Sequence, residues 1–249
     1  MFWLKKINFR LKISYDGTNY FGWQTQPNVR TIQNSIENSI KKIFSNQNIK
    51  LIGSGRTDSG VHANGQIANI EIETEMLPKQ LTKAINSYLS KDIYIEKCDL
   101  VDDDFHSRFS AKKRQYFYYI SNSYSPINRM YLWNCKWNLD LSKLHTCASL
   151  IIGKHDFSLL SKASSDTKNK ICKVYQSEWE IEGSKIIYKI TANRFLQHMV
   201  RLIIGSMVEV ARGRMTINDF KNILNNSNAF FSSVRAPSHG LYLNEIFYD

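Results

Sequence analysis

Between Phe9 and Tyr15 the residues alternate, with Phe9, Leu11, Ile13 and Tyr15 on one side and Arg10, Lys12 and Ser14 on the other. A period of two fits a strand buried on one face. Soon afterwards Ile32, Ile36, Ile40 and Ile43 recur at helical spacing, with no Gly or Pro between them. The two periods exchange along the whole chain, which excludes both an all-helical bundle and an all-strand barrel. Thr31 stands where it can cap the first helix, which runs through Phe44. A second strand is expected at Gln66 to Ile72. Pro78 then suits the first turn of a helix with Leu77, Leu81, Ile85 and Leu89 on one face.

The pattern restarts after the polar stretch Asp102 to Arg114. Gln115 to Ser121 reads as an aromatic strand holding Tyr116, Phe117, Tyr118 and Tyr119. Ser142 can cap a helix that turns Leu144, Cys147, Ala148 and Ile151 inward. Glu178 to Ile181 and Ile186 to Thr191 flank Glu182-Gly183-Ser184, a hairpin signal. A long apolar helix is expected from Arg194 to Ala211, and a shorter one from Thr216, where Asp219 completes a capping pattern. The fold class expected is α+β: two similar lobes, residues 1–105 and 106–249 with a boundary near Phe105, sharing a mostly antiparallel sheet with helices packed on one side.

Charge separates the lobes. The chain of 249 residues carries a formal net charge of +11. Residues 1–105 hold 13 basic and 12 acidic side chains, and residues 106–249 hold 20 and 10. A folded protein with so basic a second half fits a polyanionic partner. The segment Phe105-His106-Ser107-Arg108-Phe109 through Tyr116 interleaves aromatics with cations, which suits phosphates and an unpaired base, although strand tyrosines also serve as core. Cys98, Cys147, Cys135 and Cys172 lack zinc-ligand spacing, so reduced, buried thiols in a cytoplasmic protein are expected, with no metal. Met1 to Arg10 lacks the layout of a signal peptide, and no apolar run reaches the roughly 18 residues that span a membrane.

The segment from Gly53 to Gln66 carries Gly53, Gly55, Gly60 and Gly65 around Arg56, Asp58 and His62. It matches neither a P-loop nor a dinucleotide loop. Asp58 reads either as a turn residue bonded to its own backbone or to Arg56, or as an ionised carboxylate serving as nucleophile or base. Arg194, Gln197, His198, Arg201 and Gly205 form a polar stripe on the expected long helix; it faces solvent, or else a buried Arg201 needs a carboxylate, for which Asp58 is a candidate. His155-Asp156-Phe157 is assigned no catalytic role, since adjacent residues rarely face one another.

Taken in order, Tyr15-Asp16-Gly17-Thr18, Tyr20-Phe21-Gly22-Trp23-Gln24, Arg30-Thr31-Ile32-Gln33, Gly55-Arg56-Thr57-Asp58 with Gly60-Val61-His62-Ala63, Phe105-His106, Tyr116, His198-Met199-Val200-Arg201 and Gly240-Leu241-Tyr242-Leu243 resemble the tRNA pseudouridine synthases of the TruA type. The resemblance implies an enzyme that isomerises uridine at positions 38 to 40 of the tRNA anticodon arm, with a catalytic cleft between the lobes. It implies Asp58 as the catalytic carboxylate, Arg201 as its basic partner, Tyr116 as the ring that stacks on the target base and Arg56 as an arginine that opens the RNA. His62 and Leu241 are substrate-binding by the same likeness. It also implies a homodimer and no cofactor. Ser59 stands where alanine is usual, and Cys172 where arginine is common. A non-catalytic RNA-binding module and a nucleoside-directed glycoside hydrolase are the alternatives. Binding alone gives no reason to place Asp58 near phosphates, and no second acid is paired with it for hydrolysis.

Overall fold

A computed structural model describes residues 5–164, 167–227 and 233–249. The first four residues of the Met1 to Arg10 segment lie outside them. The chain divides into two units, Met1–Lys112 with Leu243–Asp249, and Lys113–Tyr242.

The first unit runs β1 (Lys6–Tyr15), α1 (Ile32–Ile43), β2 (Ile52–Gly53), β3 (His62–Glu73), α2 (Pro78–Tyr88) and β4 (Ile93–Leu100). β1 lies between β4 and β3 and is antiparallel to both. Phe9, Leu11 and Ile13 are fully buried, as the alternation requires, and Ile36 and Ile40 of α1 and Leu81 and Ile85 of α2 join the core. Leu77 does not: it precedes α2 as the residue before Pro78 and is exposed. Thr31 has the extended backbone of an N-cap, yet its hydroxyl makes no capping bond and is buried. β4 was not legible as a strand, because only Ile93, Ile95 and Cys98 of its eight residues are buried.

The second unit runs β5 (Lys113–Ser121), β6 (Trp133–Asn134), α3 (Leu141–Leu150), β7 (Gly153–Asp156), β8 (Ile171–Glu182), β9 (Lys185–Ala192), α4 (Met199–Ala211) and α5 (Ile217–Leu224). Its strands lie in the order β5-β9-β8-β7 with antiparallel pairing, and the short β6 adds to β5 in parallel. The β8–β9 hairpin turns at Gly183, whose φ of +60° suits glycine. Leu144, Cys147 and Ala148 are buried as expected. The cap of α3, however, is Asp140, whose carboxylate accepts the Lys143 N–H, and not Ser142. α5 has the expected capping box between Thr216 and Asp219.

The last strand, β10 (Leu241–Phe247), belongs to the first unit from Leu243 onward. The first unit also extends past Phe105 to Lys112. Asn8 donates to the carbonyls of Asp102 and Phe105, Asn69 accepts the Ser107 N–H, and the Lys112 N–H donates to Phe247. Those bonds make the polar stretch part of the first unit. The four cysteines are free and buried, and burial pushes the Cys98 and Cys147 thiols up to about 12, so they stay protonated. Among the described residues, no helix is long and apolar enough to cross a membrane.

Candidate active site

The loop bearing Asp58 is held from below. Gln66, fully buried at the start of the regular part of β3, donates to the Gly55 carbonyl at 2.8 Å and accepts the Ser54 hydroxyl at 2.8 Å. The Trp23 N–H donates to the Thr57 carbonyl, and the hydroxyls of Tyr15 and Thr57 lie 2.8 Å apart in the interior. Beyond Asp58, the Gly60 N–H and the Ser59 hydroxyl both donate to the Tyr20 carbonyl. The Val61 N–H closes the turn on the Asp58 carbonyl. Asp58 itself is half-buried, and Arg56 is exposed.

Two glycines let the loop approach so closely. A Cβ on Gly22, at φ +90°, would lie 2.6 Å from the Thr57 carbonyl oxygen; one on Gly17 would lie 2.0 Å from that of Val61. The sequence motifs around Asp16 and Phe21 are therefore the floor of the Asp58 turn. This explains in packing terms why they occur with it.

His62 is buried beneath this turn. Its Nδ1 accepts the Gly17 N–H at 3.1 Å. Asp16 Oδ1 approaches the same nitrogen at 3.1 Å, but it already accepts the Thr18 amide and hydroxyl. His62 acts by shaping the backbone between Asp16 and Thr18.

The second unit holds Tyr116, Arg201 and Leu241. The helix carrying Arg201 starts at Met199, later than its apolar pattern suggests, because His198 has a left-handed backbone with φ +65°. Arg194, Gln197 and His198 consequently lie before the helix, and the expected stripe does not form. Arg201 is partly buried, and its Nε donates to the Ala236 carbonyl at 2.8 Å while its own carbonyl accepts the Ala236 N–H. Gly205 permits that crossing, since a Cβ there would lie 2.0 Å from the Val234 oxygen. Further along, the Tyr118 hydroxyl donates to the Pro237 carbonyl, and Gly240 sits against the Tyr118 ring. Burial holds the Tyr118 phenol well above its ordinary value, opposed by the charge of Arg201. This strap sets Leu241, which is buried, at the start of β10.

Tyr116 stands two residues before Tyr118 on the core side of β5, and Phe195 meets its ring edge-on at a centroid distance of 5.0 Å. It is 8% exposed, so only a small part of the ring is open to a ligand. Sequence reading assigned no role to Tyr15, Trp23 or Gln66 beyond strand and motif. For Tyr15 and Trp23 the signal was the recurrence of aromatic and glycine positions upstream of the Asp58 loop; Gln66, after the loop, carried none.

Residues 12–110 and 147–249 match the family described as tRNA pseudouridine synthase. The chain belongs to the tRNA pseudouridine synthase family. Its relatives include tRNA pseudouridine synthase A of Thermodesulfovibrio yellowstonii, 38% identical over 255 residues that cover 97% of this chain and 100% of that one. The tRNA pseudouridine synthase A of Borrelia hermsii is 39% identical, covering 99% of this chain and 100% of the relative. That of Thermosipho melanesiensis is also 39% identical, covering 96% and 99%.

Proposed function

We propose that this chain isomerises uridine to pseudouridine in tRNA, at positions 38 to 40 of the anticodon arm, as a cytoplasmic homodimer. The observation that carries the reading is the half-buried carboxylate of Asp58, set in a turn that is bonded on both sides to buried scaffold. Membership of the family supports the reaction; the target positions rest on the motif resemblance, the dimer chiefly on it, and the cytoplasm on the four free, buried cysteines.

Isomerisation breaks the bond from N1 of uracil to C1′ of ribose, turns the uracil, and joins C5 to C1′. The hydrogen on C5 leaves as a proton and N1 takes one up, so no atom is gained or lost overall. Asp58 carries this chemistry as an ionised carboxylate, by nucleophilic attack or by removal of a proton. By the motif resemblance, Arg201 is the basic partner of Asp58. Its anchoring to Ala236 fixes the direction of the guanidinium. Tyr116 stacks on the uracil, Arg56 contacts the opened RNA, and His62 and Leu241 serve substrate binding through the backbone they hold in place. Unstacking a base costs a few kcal/mol, which ring stacking and phosphate contacts offset.

Tritium release from tRNA labelled at uracil C5 tests the reaction, and mapping of the released positions tests the site on tRNA. Light scattering tests the dimer, for which twice the chain mass is expected. One chain mass in a fully active sample would refute it.

A further inference from the structure

In the second unit, the ring of Tyr175 has two ammonium groups over it. Lys113 Nζ and Lys173 Nζ each lie 5.3 Å from its centroid. Tyr175 is 42% exposed, so the ring is a surface feature and not core. It falls where the β8–β9 register shifts between Val174 and Gln176, a bulge that takes its side chain out of the regular ladder.

The platform is rigid. Asn193 Oδ1 accepts the Lys173 N–H at 2.8 Å, and the Asn193 N–H donates to the Lys173 carbonyl at 3.0 Å. The Asn193 carbonyl also accepts Arg114 Nη1 at 2.9 Å, next to Lys113. One asparagine thus aligns the strands that carry both lysines. Arg194 bonds the carbonyls of Asn169 and Ile171 and fixes the start of β8. Beside the ring, Gln115, Thr191 and Gln176 form a connected polar row across three strands.

The charges at this place also differ from that of Lys189 on the same sheet. Lys189 lies over Phe117 but is paired with Glu180 at 2.5 Å. Among the described residues, no carboxylate pairs with Lys113 or Lys173. An exposed ring between two unneutralised ammoniums fits a polyanion that also offers flat faces, which is a nucleic-acid strand: the ring takes a base or ribose, and the lysines take the phosphates on either side.

We infer that Lys113, Tyr175 and Lys173 form an RNA-docking platform that grips the tRNA strand outside the target nucleotide. The inference rests on the tRNA reading above and names a contact site within it. The platform positions substrate and takes no part in bond making.

The test uses the full-length protein and an unmodified tRNA transcript. Tyr175→Ala is expected to weaken tRNA binding about tenfold, with Tyr175→Phe staying near the parent because the ring remains. Lys113→Gln with Lys173→Gln should lower the slope of log Kd against log salt by about 1.5, as two phosphate contacts are lost. Lys79→Gln with Lys83→Gln on α2 removes the same charge elsewhere and controls for net charge. In tritium release, the loss should fall on KM more than on kcat.

The platform is overturned if Tyr175→Ala binds within twofold of the parent, or if both lysine pairs lower the slope equally. Circular dichroism and melting of each variant establish that it is folded, and Tyr175→Leu, which keeps bulk but not the ring's face, should fail as Tyr175→Ala does. If the parent releases no tritium yet the platform variants lose RNA binding, the enzymatic reading fails and the platform stands. If tritium release is normal and the variants bind as the parent does, the platform alone fails.

Discussion

The hydroxyl of Tyr15 lies 2.8 Å from that of Thr57, one residue before Asp58, and both side chains are buried. Burial raises the Tyr15 phenol well above its ordinary value against the opposing effect of the Thr57 bond, so it is a neutral hydroxyl at any working pH. A strand deep in the first unit is therefore joined directly to the turn that carries the candidate carboxylate.

Removing the Tyr15 hydroxyl takes from the Thr57 hydroxyl its partner in the interior, and removing that of Thr57 leaves Tyr15 with Gln66 alone. Tyr15→Phe and Thr57→Val should each cost about 1–2 kcal/mol, and the double variant less than their sum. Urea unfolding measures all three, and strict additivity would show that the bond contributes nothing.

Gly22→Ala introduces a methyl group 2.6 Å from the Thr57 carbonyl at a backbone angle that disfavours any side chain. The Asp58 turn must shift to admit it. Tritium release should fall at least about tenfold, since small displacements of a reacting group are costly. Unchanged turnover would mean that the position of the turn is not critical.

A second anchor joins Tyr20, Arg30, Ser90 and Asp92. Tyr20 donates to Asp92 at 2.6 Å, and the Arg30 guanidinium lies 4.3 Å from the Tyr20 ring and bonds its hydroxyl. Burial alone would raise the Asp92 carboxyl, but bonds from Ser90 and Tyr20 and the Arg30 charge outweigh it and hold the group below the usual carboxylate range. A depressed folded pKa stabilises the fold above the unfolded value, about 3.9, and that contribution is lost as pH falls through the folded value. Asp92→Asn should thus be less stable than the parent by about 1 kcal/mol at pH 7, and the gap should close below about pH 4. Melting temperatures across pH check this; a gap that persists in acid would locate its origin in packing.

Much of this was legible in the sequence because it is local. The alternation of Phe9 to Tyr15 and the isoleucine spacing of α1 each reflect one buried face. The glycines beside Asp58 announced a tight turn. What was missed depends on distant partners or on a single backbone angle. His198 stops α4 from extending back to Arg194, although the apolar pattern continues through Leu196. Residues 106–112 read as part of the second lobe, because the buried Asn8 and Asn69 that secure this stretch to the first unit are far away in sequence. The Arg201–Ala236 bond joins residues whose relation no local pattern encodes.

The uneven charge predicts steep salt dependence. With six or more phosphate contacts, tRNA affinity should fall about a thousandfold or more between about 50 and 200 mM salt. A nearly flat titration would make the basic excess of residues 106–249 a solvated surface only.

The most direct test of the account compares Asp58→Asn with the parent in tritium release from tRNA labelled at uracil C5. The amide keeps the shape of the side chain and removes its nucleophilicity and basicity. Release should fall by about a thousandfold or more while tRNA affinity changes less than about tenfold. Turnover by the folded variant within about tenfold of the parent would contradict the assignment of the chemistry to Asp58.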